Sequence, residues 1–297
     1  MDEQAIRELP KVALGVRAGR DIDPADLSTQ LDNLAAQNVV YAEFIVPLSQ
    51  FELFDASTHA LALGLVAELT TPEDVRSFLE GKATGKYSSA QAAEIPVTIL
   101  PQVADDLRKH YVPFSVVDPT GAGAAAQGAH RIVGAMDIAE DFVIDEDDVL
   151  GDIAPGTVSG FIRDRGIPVA LKLEDADLLD HPLPLLHSMG FNSVLYTNDP
   201  TGDLLRLATE AQYELEGIVA LLRMTVEATF LPQPERQRLL GIILAPFNED
   251  EEESESSADS EDEVNYELSA EEMANIDPGL WEMLGIDPSS ITVKDDK

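Results

Sequence analysis

Residues 11–46 read KVALGV, RAGRDI, DPADLSTQLDNLAAQN and VVYAEFIV, and this stretch decides the fold class. Lys11 to Val16 is short and apolar, as is Val39 to Val46. Between them Asp23-Pro24 opens a helix, because Asp caps free N–H groups and Pro fits the first turn. Leu27, Leu31 and Leu34 then fall on one side of that helix. Apolar strands joined by a helix read as parallel strands covered on both faces. The pattern continues at Val97 to Leu100, Phe114 to Asp118, Arg131 to Met136, Pro168 to Leu173 and Ser193 to Thr197. Thr71-Pro72-Glu73-Asp74 starts another helix, with Val75, Phe78 and Leu79 on its apolar side, and Asp203 to Leu244 is mostly helical, punctuated by Pro232 and Pro234. Repeated strand–helix units predict a parallel α/β fold, either a barrel or an open doubly wound sheet. Gly121-Ala122-Gly123 is the one glycine cluster of note, and it reads as a flexible turn.

Composition removes whole classes of function. The chain has 297 residues, 19 basic and 56 acidic side chains, a formal charge of -37, and no cysteine. Thiol catalysis, disulfides and thiolate zinc sites are therefore impossible. Such a polyanion repels nucleic acid and anionic lipid, so neither is expected as a partner. No run of apolar residues is long enough to span a bilayer, and Met1 to Pro10 lacks an apolar signal core. These features predict a soluble, cytoplasmic protein. The 44% hydrophobic content suffices for one sizeable core.

The acidity is concentrated at one end. Residues 249–297 carry 18 acidic side chains against Lys294 and Lys297. The expected division is a domain at 1–247 and an acidic tail at 248–297. Asn248 to Glu263 is nearly all Glu, Asp and Ser, too polar to offset its ordering entropy, so 248–268 is expected to be disordered. Ser269-Ala270-Glu271-Glu272 resembles a capping box, and an amphipathic segment is expected at 269–286. Leu280, Trp281, Met283, Leu284 and Ile286 form its apolar cluster. Two readings stay open: a solvating tail with stray apolar residues, or a short motif that docks on this domain or on a protein partner.

Several segments resemble the adenosine deaminases of the metal-dependent hydrolase superfamily. Leu9-Pro10-Lys11-Val12-Ala13-Leu14 is similar to that family's "LPKVELHVH" opening, and Tyr41-Ala42-Glu43-Phe44 with Pro47 to its "YAEIRFAP". Arg131-Ile132-Val133-Gly134-Ala135 resembles "RIGHG", and Ile138-Ala139-Glu140-Asp141 the "IED" after it. His181-Pro182-Leu183 matches "HPL", Tyr196-Thr197-Asn198-Asp199-Pro200 resembles "NTDDP", and Val226 to Leu231 resembles "VEASFL". The shared order covers roughly residues 9 to 244. The resemblance implies a (β/α)8 barrel, with its site at the C-terminal ends of the strands. Seven strand candidates against the family's eight, 74 positions from Glu43 to Val117, and a Gly/Ala-rich stretch at 119–130 predict a shortened or incomplete barrel.

The resemblance also implies a zinc ion that activates water for attack on a purine ring. Here the chain departs from the family. The two histidine ligands of the opening motif fall on Gly15 and Arg17, the third on Val117, and the ligand Asp on Asn198. The proton-donating Glu falls on Thr120 and the catalytic His on Gly134. Only Asp199, the purine-contacting carboxylate, is retained. No bound metal and no catalytic residue are therefore expected. If the alignment holds, residues 15, 17, 117, 134, 198 and 199 converge, and Arg17 can pair with Asp199.

No other set of residues rebuilds the site. The five histidines are His59, His110, His130, His181 and His187. His130 reads as a loop residue and His181 and His187 as outer-layer residues, while Asp118 beside Pro119 reads as turn-forming or functional. Two functions follow. The first is a non-catalytic descendant that binds a protein through its tail or retains a nucleoside at Asp199. The second is an active purine nucleoside deaminase, or another hydrolase, with an unrecognised site.

Overall fold

The computed structural model describes residues 3–17, 23–55, 61–144, 153–173, 177–256, 267–269 and 292–294. Helix α1 (Glu3–Glu8) precedes β1 (Lys11–Arg17), and α2 (Pro24–Ala36) leads into β2 (Val39–Pro47). There follow α3 (Phe51–Asp55), β3 (Ala62–Glu68), α4 (Pro72–Ala83), β4 (Ala90–Pro96), α5 (Leu100–Lys109), β5 (Phe114–Val117), α6 (Ala122–Ala126) and β6 (Arg131–Val133). Two short strands, β7 (Val143–Ile144) and β8 (Ile153–Ala154), come before α7 (Thr157–Asp164) and β9 (Val169–Leu171). The domain ends with α8 (Pro182–Ser188), β10 (Ser193–Leu195), α9 (Pro200–Glu210), α10 (Leu215–Glu227) and α11 (Gln233–Ser256).

Eight strands form one sheet in the order β1-β2-β3-β4-β5-β6-β9-β10, every neighbouring pair parallel. Its two edges meet where the Thr197 N–H donates to the Leu14 carbonyl at 2.8 Å, so the sheet is a nearly closed (β/α)8 barrel. The expectation of a missing strand is corrected. Strands β3 and β4 escaped notice because ALGLVAE and AQAAEIP are built from small residues with weak β-propensity. Packing requires that smallness: a Cβ at Gly64 would strike the Tyr41 hydroxyl. The run at Val97 to Leu100 is not a strand. It is the turn after β4, and Leu100-Pro101 begins α5. The segment at 119–130 does hold only the five-residue α6, as its glycines and alanines foretell.

The helix starts follow their caps. Asp23 accepts the Ala25 and Asp26 N–H groups at 2.8 and 2.9 Å. Thr71 and Asp74 make a reciprocal capping box at the start of α4. Leu27, Leu31 and Leu34 are buried, as their spacing requires. Among the described residues no helix is long and apolar enough to cross a membrane.

The chain divides between Pro246 and Phe247. Helix α11 continues to Ser256, where the sequence reading expects no regular structure at 248–256. Glu is a good helix former, and extending a helix is far cheaper than nucleating one. Strands β11 (Glu267–Ser269) and β12 (Thr292–Lys294) pair in parallel, a second difference from the irregular tail expected. The docking cluster of Leu280, Trp281, Met283, Leu284 and Ile286 lies outside the described residues.

One buried charge at the barrel floor has a pH signature. The Lys11 ammonium donates to the Arg7, Leu9 and Gln37 carbonyls at 3.0, 2.7 and 3.2 Å. Burial, helped by the nearby Arg7 charge, lowers its pKa to about 8. Between that value and the ordinary lysine range the unfolded chain holds the extra proton, so this group makes stability rise with pH. Urea midpoints measured from about pH 8 to pH 10 should climb for the parent relative to Lys11→Met. The paired comparison matters because Tyr41, pushed well up by burial, acts in the opposite sense at the alkaline end. Parallel profiles for the two proteins would show that Lys11 is solvated.

Candidate functional site

The barrel interior is charged, which is unusual for a layer that apolar side chains normally fill. At the N-terminal end of β6 the fully buried Arg131 pairs with the fully buried Glu43 of β2 at 2.7 Å. Arg131 also donates to the Ala228 carbonyl at 3.1 Å, and the Phe230 N–H donates to Glu43 at 2.6 Å. The guanidinium carbon lies 4.4 Å from the centroid of the Phe230 ring. Burial works against the Arg131 charge, but Glu43 together with Tyr196 and Glu94 outweighs it and the pKa stays raised.

Above this layer, at the C-terminal strand ends, Arg17 leaves β1 and bridges two carboxylates. It bonds Glu68 of β3 at 2.7 Å and, more closely, Glu94 of β4. Glu94 is 2% exposed and also accepts from the Tyr196 hydroxyl and from Ser115. Burial, and then the Glu94 charge, push the Tyr196 phenol well up, so it stays a neutral donor. Burial opposes the Arg17 charge as well, and Glu94 with its neighbours raises it overall. The network ties β1, β3, β4 and β5 to the segment just beyond β10.

Gly15 sits in this wall with φ +74, at an irregularity in the β1–β2 register. A Cβ added there would overlap the Tyr196 ring. Position 15 therefore cannot carry any side chain while that ring is in place. The space where the resemblance puts a histidine ligand is filled by a phenol.

Gly15, Arg17, Lys172, Tyr196, Asp199 and Asp203 line one cavity of about 280 Å³, with Thr197 and Asn198 beside them. The sequence alignment's convergence is thus found for positions 15, 17, 198 and 199. Val117 ends β5 and Gly134, with φ +72, follows β6, so both lie at the same end of the sheet, outside this cavity's lining. The expected pair of Arg17 with Asp199 does not form. Arg17 is taken by Glu68 and Glu94, while Asp199 accepts the Gly202 N–H at 3.0 Å and caps α9. Burial raises the pKa of Asp203, with a Thr197 hydrogen bond opposing and the Asp199 charge adding.

The remaining candidates have structural roles. Asp118 accepts from the Thr120 N–H and hydroxyl at 3.1 Å and from the Ala124 N–H at 2.9 Å, so it builds the turn into α6. Thr120 is held in that turn. His130 is an exposed loop residue whose Nδ1 accepts from the Phe114 N–H. His181 is buried in the outer layer, where it accepts from Leu183 N–H at the start of α8 and reaches the Lys172 carbonyl at 3.0 Å. His187 meets the Tyr213 ring, His110 is exposed at the end of α5, and His59 lies outside the described residues.

Sequence reasoning missed Glu68, Glu94, Lys172 and Asp203, and it gave Tyr196 no role. A signal existed for two of these: Glu68 and Glu94 are single acids near the ends of the Ala-rich runs ALGLVAE and AQAAEIP. Had those runs been read as strands, both acids would have fallen at a barrel mouth.

No family model matches the sequence, and neither does any curated protein. Solved structures do match. An adenine deaminase from Arthrobacter aurescens superposes with a TM-score of 0.58 at 13% identity, over 76% of this chain and 79% of that one. The N6-methyl-AMP deaminase of Arabidopsis thaliana gives 0.61 at 13% identity, over 82% and 98%. A zinc-bound amidohydrolase from Burkholderia ambifaria gives 0.62 at 10%, over 83% and 92%. The likeness is one of fold. At such identities it says that the backbone is a (β/α)8 barrel like theirs and leaves the chemistry to the residues.

Those residues do not fit a zinc ion. The four positions where the resemblance would put ligands hold Gly15, Arg17, Val117 and Asn198, of which only the neutral Asn198 offers a donor to a cation. Arg17 adds a fixed positive charge, and the carboxylates nearest it are already engaged. Among the described residues no group of three His, Asp or Glu side chains is placed to hold a metal.

Proposed function

We propose that this chain is a non-catalytic protein on a deaminase-type barrel, acting by binding rather than by turnover. One observation carries the reading: the Tyr196 ring excludes any side chain at position 15, and Arg17 is locked between Glu68 and Glu94 beside it. A deaminase needs activated water, a proton donor and a place for the ring. This mouth offers a paired arginine and a buried phenol beside the positions where the resemblance would put metal ligands, and Thr120 where it would put the proton donor. Asp199, placed beside the Arg17 network in the cavity lining, leaves room for a nucleoside as ligand, and the acidic tail is proposed as a contact element for a protein partner. A cytoplasmic setting belongs to the same proposal, and so does the absence of nucleic-acid and membrane partners, which is argued from the charge of -37.

The test is direct. Purified protein, dialysed and then supplied with zinc, is incubated with adenosine, adenine and N6-methyl-AMP. Conversion should equal that of heat-inactivated protein, and adding a chelator should not move the melting temperature. Enzymes accelerate reactions by about a millionfold or more, so even a poor catalyst would be visible. Turnover that copurifies with the chain and disappears in Asp199→Ala would replace this reading with that of an active hydrolase.

A further inference from the structure

Strands β7 and β8 form a two-stranded antiparallel ribbon separate from the barrel sheet, with Val143 opposite Ala154 and Ile144 opposite Ile153. They belong to the connection that leaves the C-terminal end of β6, on the side of the barrel mouth. All four residues are exposed. Of the eight large apolar side chains left exposed among the described residues, three are here: Val143 at 57%, Ile144 at 60% and Ile153 at 49%. Cross-strand neighbours share a face, so Val143 with Ala154 shows on one side and Ile144 with Ile153 on the other. Both faces therefore keep about half of their apolar surface open. A bare two-stranded ribbon is marginal in water, and clustered exposed apolar groups mark interaction sites. Among the described residues neither strand pairs with a third, so the ribbon's outer edges can accept another strand.

Charge decides what that strand can be. From Ile132 to Ile162 the sequence holds eight acidic side chains and no Lys or Arg. Asp137 and Glu140, just ahead of the ribbon, are exposed. A second copy of a chain with charge -37 is repelled from this surface. We infer that the β7–β8 ribbon docks an extended, basic segment of another protein. Its apolar side chains would cover Ile144 and Ile153, and its alternate Lys or Arg positions would face the acidic surroundings. The inference is independent of whether the barrel mouth is catalytic.

Fluorescence anisotropy of the full chain with labelled peptides tests it. One probe alternates Lys with Val, and the other alternates Lys with Ser at equal length and charge. The Lys-Val peptide should bind at least about tenfold more tightly, with affinity falling as salt is raised. Ile144→Asp with Ile153→Asp should abolish that preference with little change in the melting temperature, because both side chains are about half exposed and outside the barrel sheet. If this variant folds poorly, Ile144→Thr with Ile153→Thr should still narrow the gap. Equal binding of the two peptides would reduce the effect to general attraction by a polyanion and overturn the inference. A preference that survives both substitution pairs would overturn it too. So would a parent dimer by sedimentation that the double variant dissolves, since the occupant would then be a second copy.

Discussion

Replacing Arg131 by methionine is expected to cost about 3–5 kcal/mol of unfolding free energy, the usual penalty for stranding one member of a buried ion pair. Both Arg131 and Glu43 are fully buried, so the carboxylate left behind has no water to turn to. Among the described residues its other hydrogen-bond partner is the Phe230 N–H, and that single bond does not replace a guanidinium. The Ala228 carbonyl would lose a donor at the same time, and the Phe230 face would lose its stacked cation. Removing both charges, as Arg131→Met with Glu43→Leu, should recover part of the loss, because an apolar pair pays no desolvation. The measurement is chemical denaturation of the parent, the two single variants and the double variant. A single Arg131→Met variant within about 0.5 kcal/mol of the parent would show that the pair is solvated in solution.

Placing even a methyl group at Gly15 is the second large effect expected. Residue 15 holds φ +74, a conformation that costs an L-residue roughly 1–2 kcal/mol. Overpacking against the Tyr196 ring adds roughly 1–3 kcal/mol. Gly15→Ala should therefore lose about 3 kcal/mol. The ring cannot simply swing aside, since its hydroxyl is bonded to Glu94, which also holds Arg17. For the same reason Gly15→His should yield a less stable protein with no gain of zinc, although it restores one residue of the resembled motif. The penalty should be non-additive with Tyr196→Ala, which opens the space that the new side chain needs. Full additivity of Gly15→Ala and Tyr196→Ala would mean that the two positions do not touch, and the filled-site argument would fall with that result.

The alternation of apolar strands with capped helices was written in local chemistry. Asp23-Pro24, Thr71-Pro72 and the leucine spacing of α2 act within a few residues of themselves, so sequence alone determined a parallel α/β chain with helices at those places. The departures from the resembled motifs at Gly15, Arg17, Val117 and Asn198 were equally readable, because comparing residue types needs no structure. The strand count was not. Strands β3 and β4 are alanine-rich, and what makes them strands is the parallel ladder on either side and the bulk of Tyr41 against Gly64. Nor could spacing say which residues Arg17 meets at the strand ends. Glu68 and Glu94 lie 51 and 77 positions from Arg17, and Tyr196 lies 102 from Glu94. Such partners are selected by barrel closure, which brings the C-terminal ends of distant strands to one rim. Charge then settles the outcome at close range: the arginine takes the two buried-side carboxylates, and Asp199, which sequence reading matched to it, is held by its own helix instead.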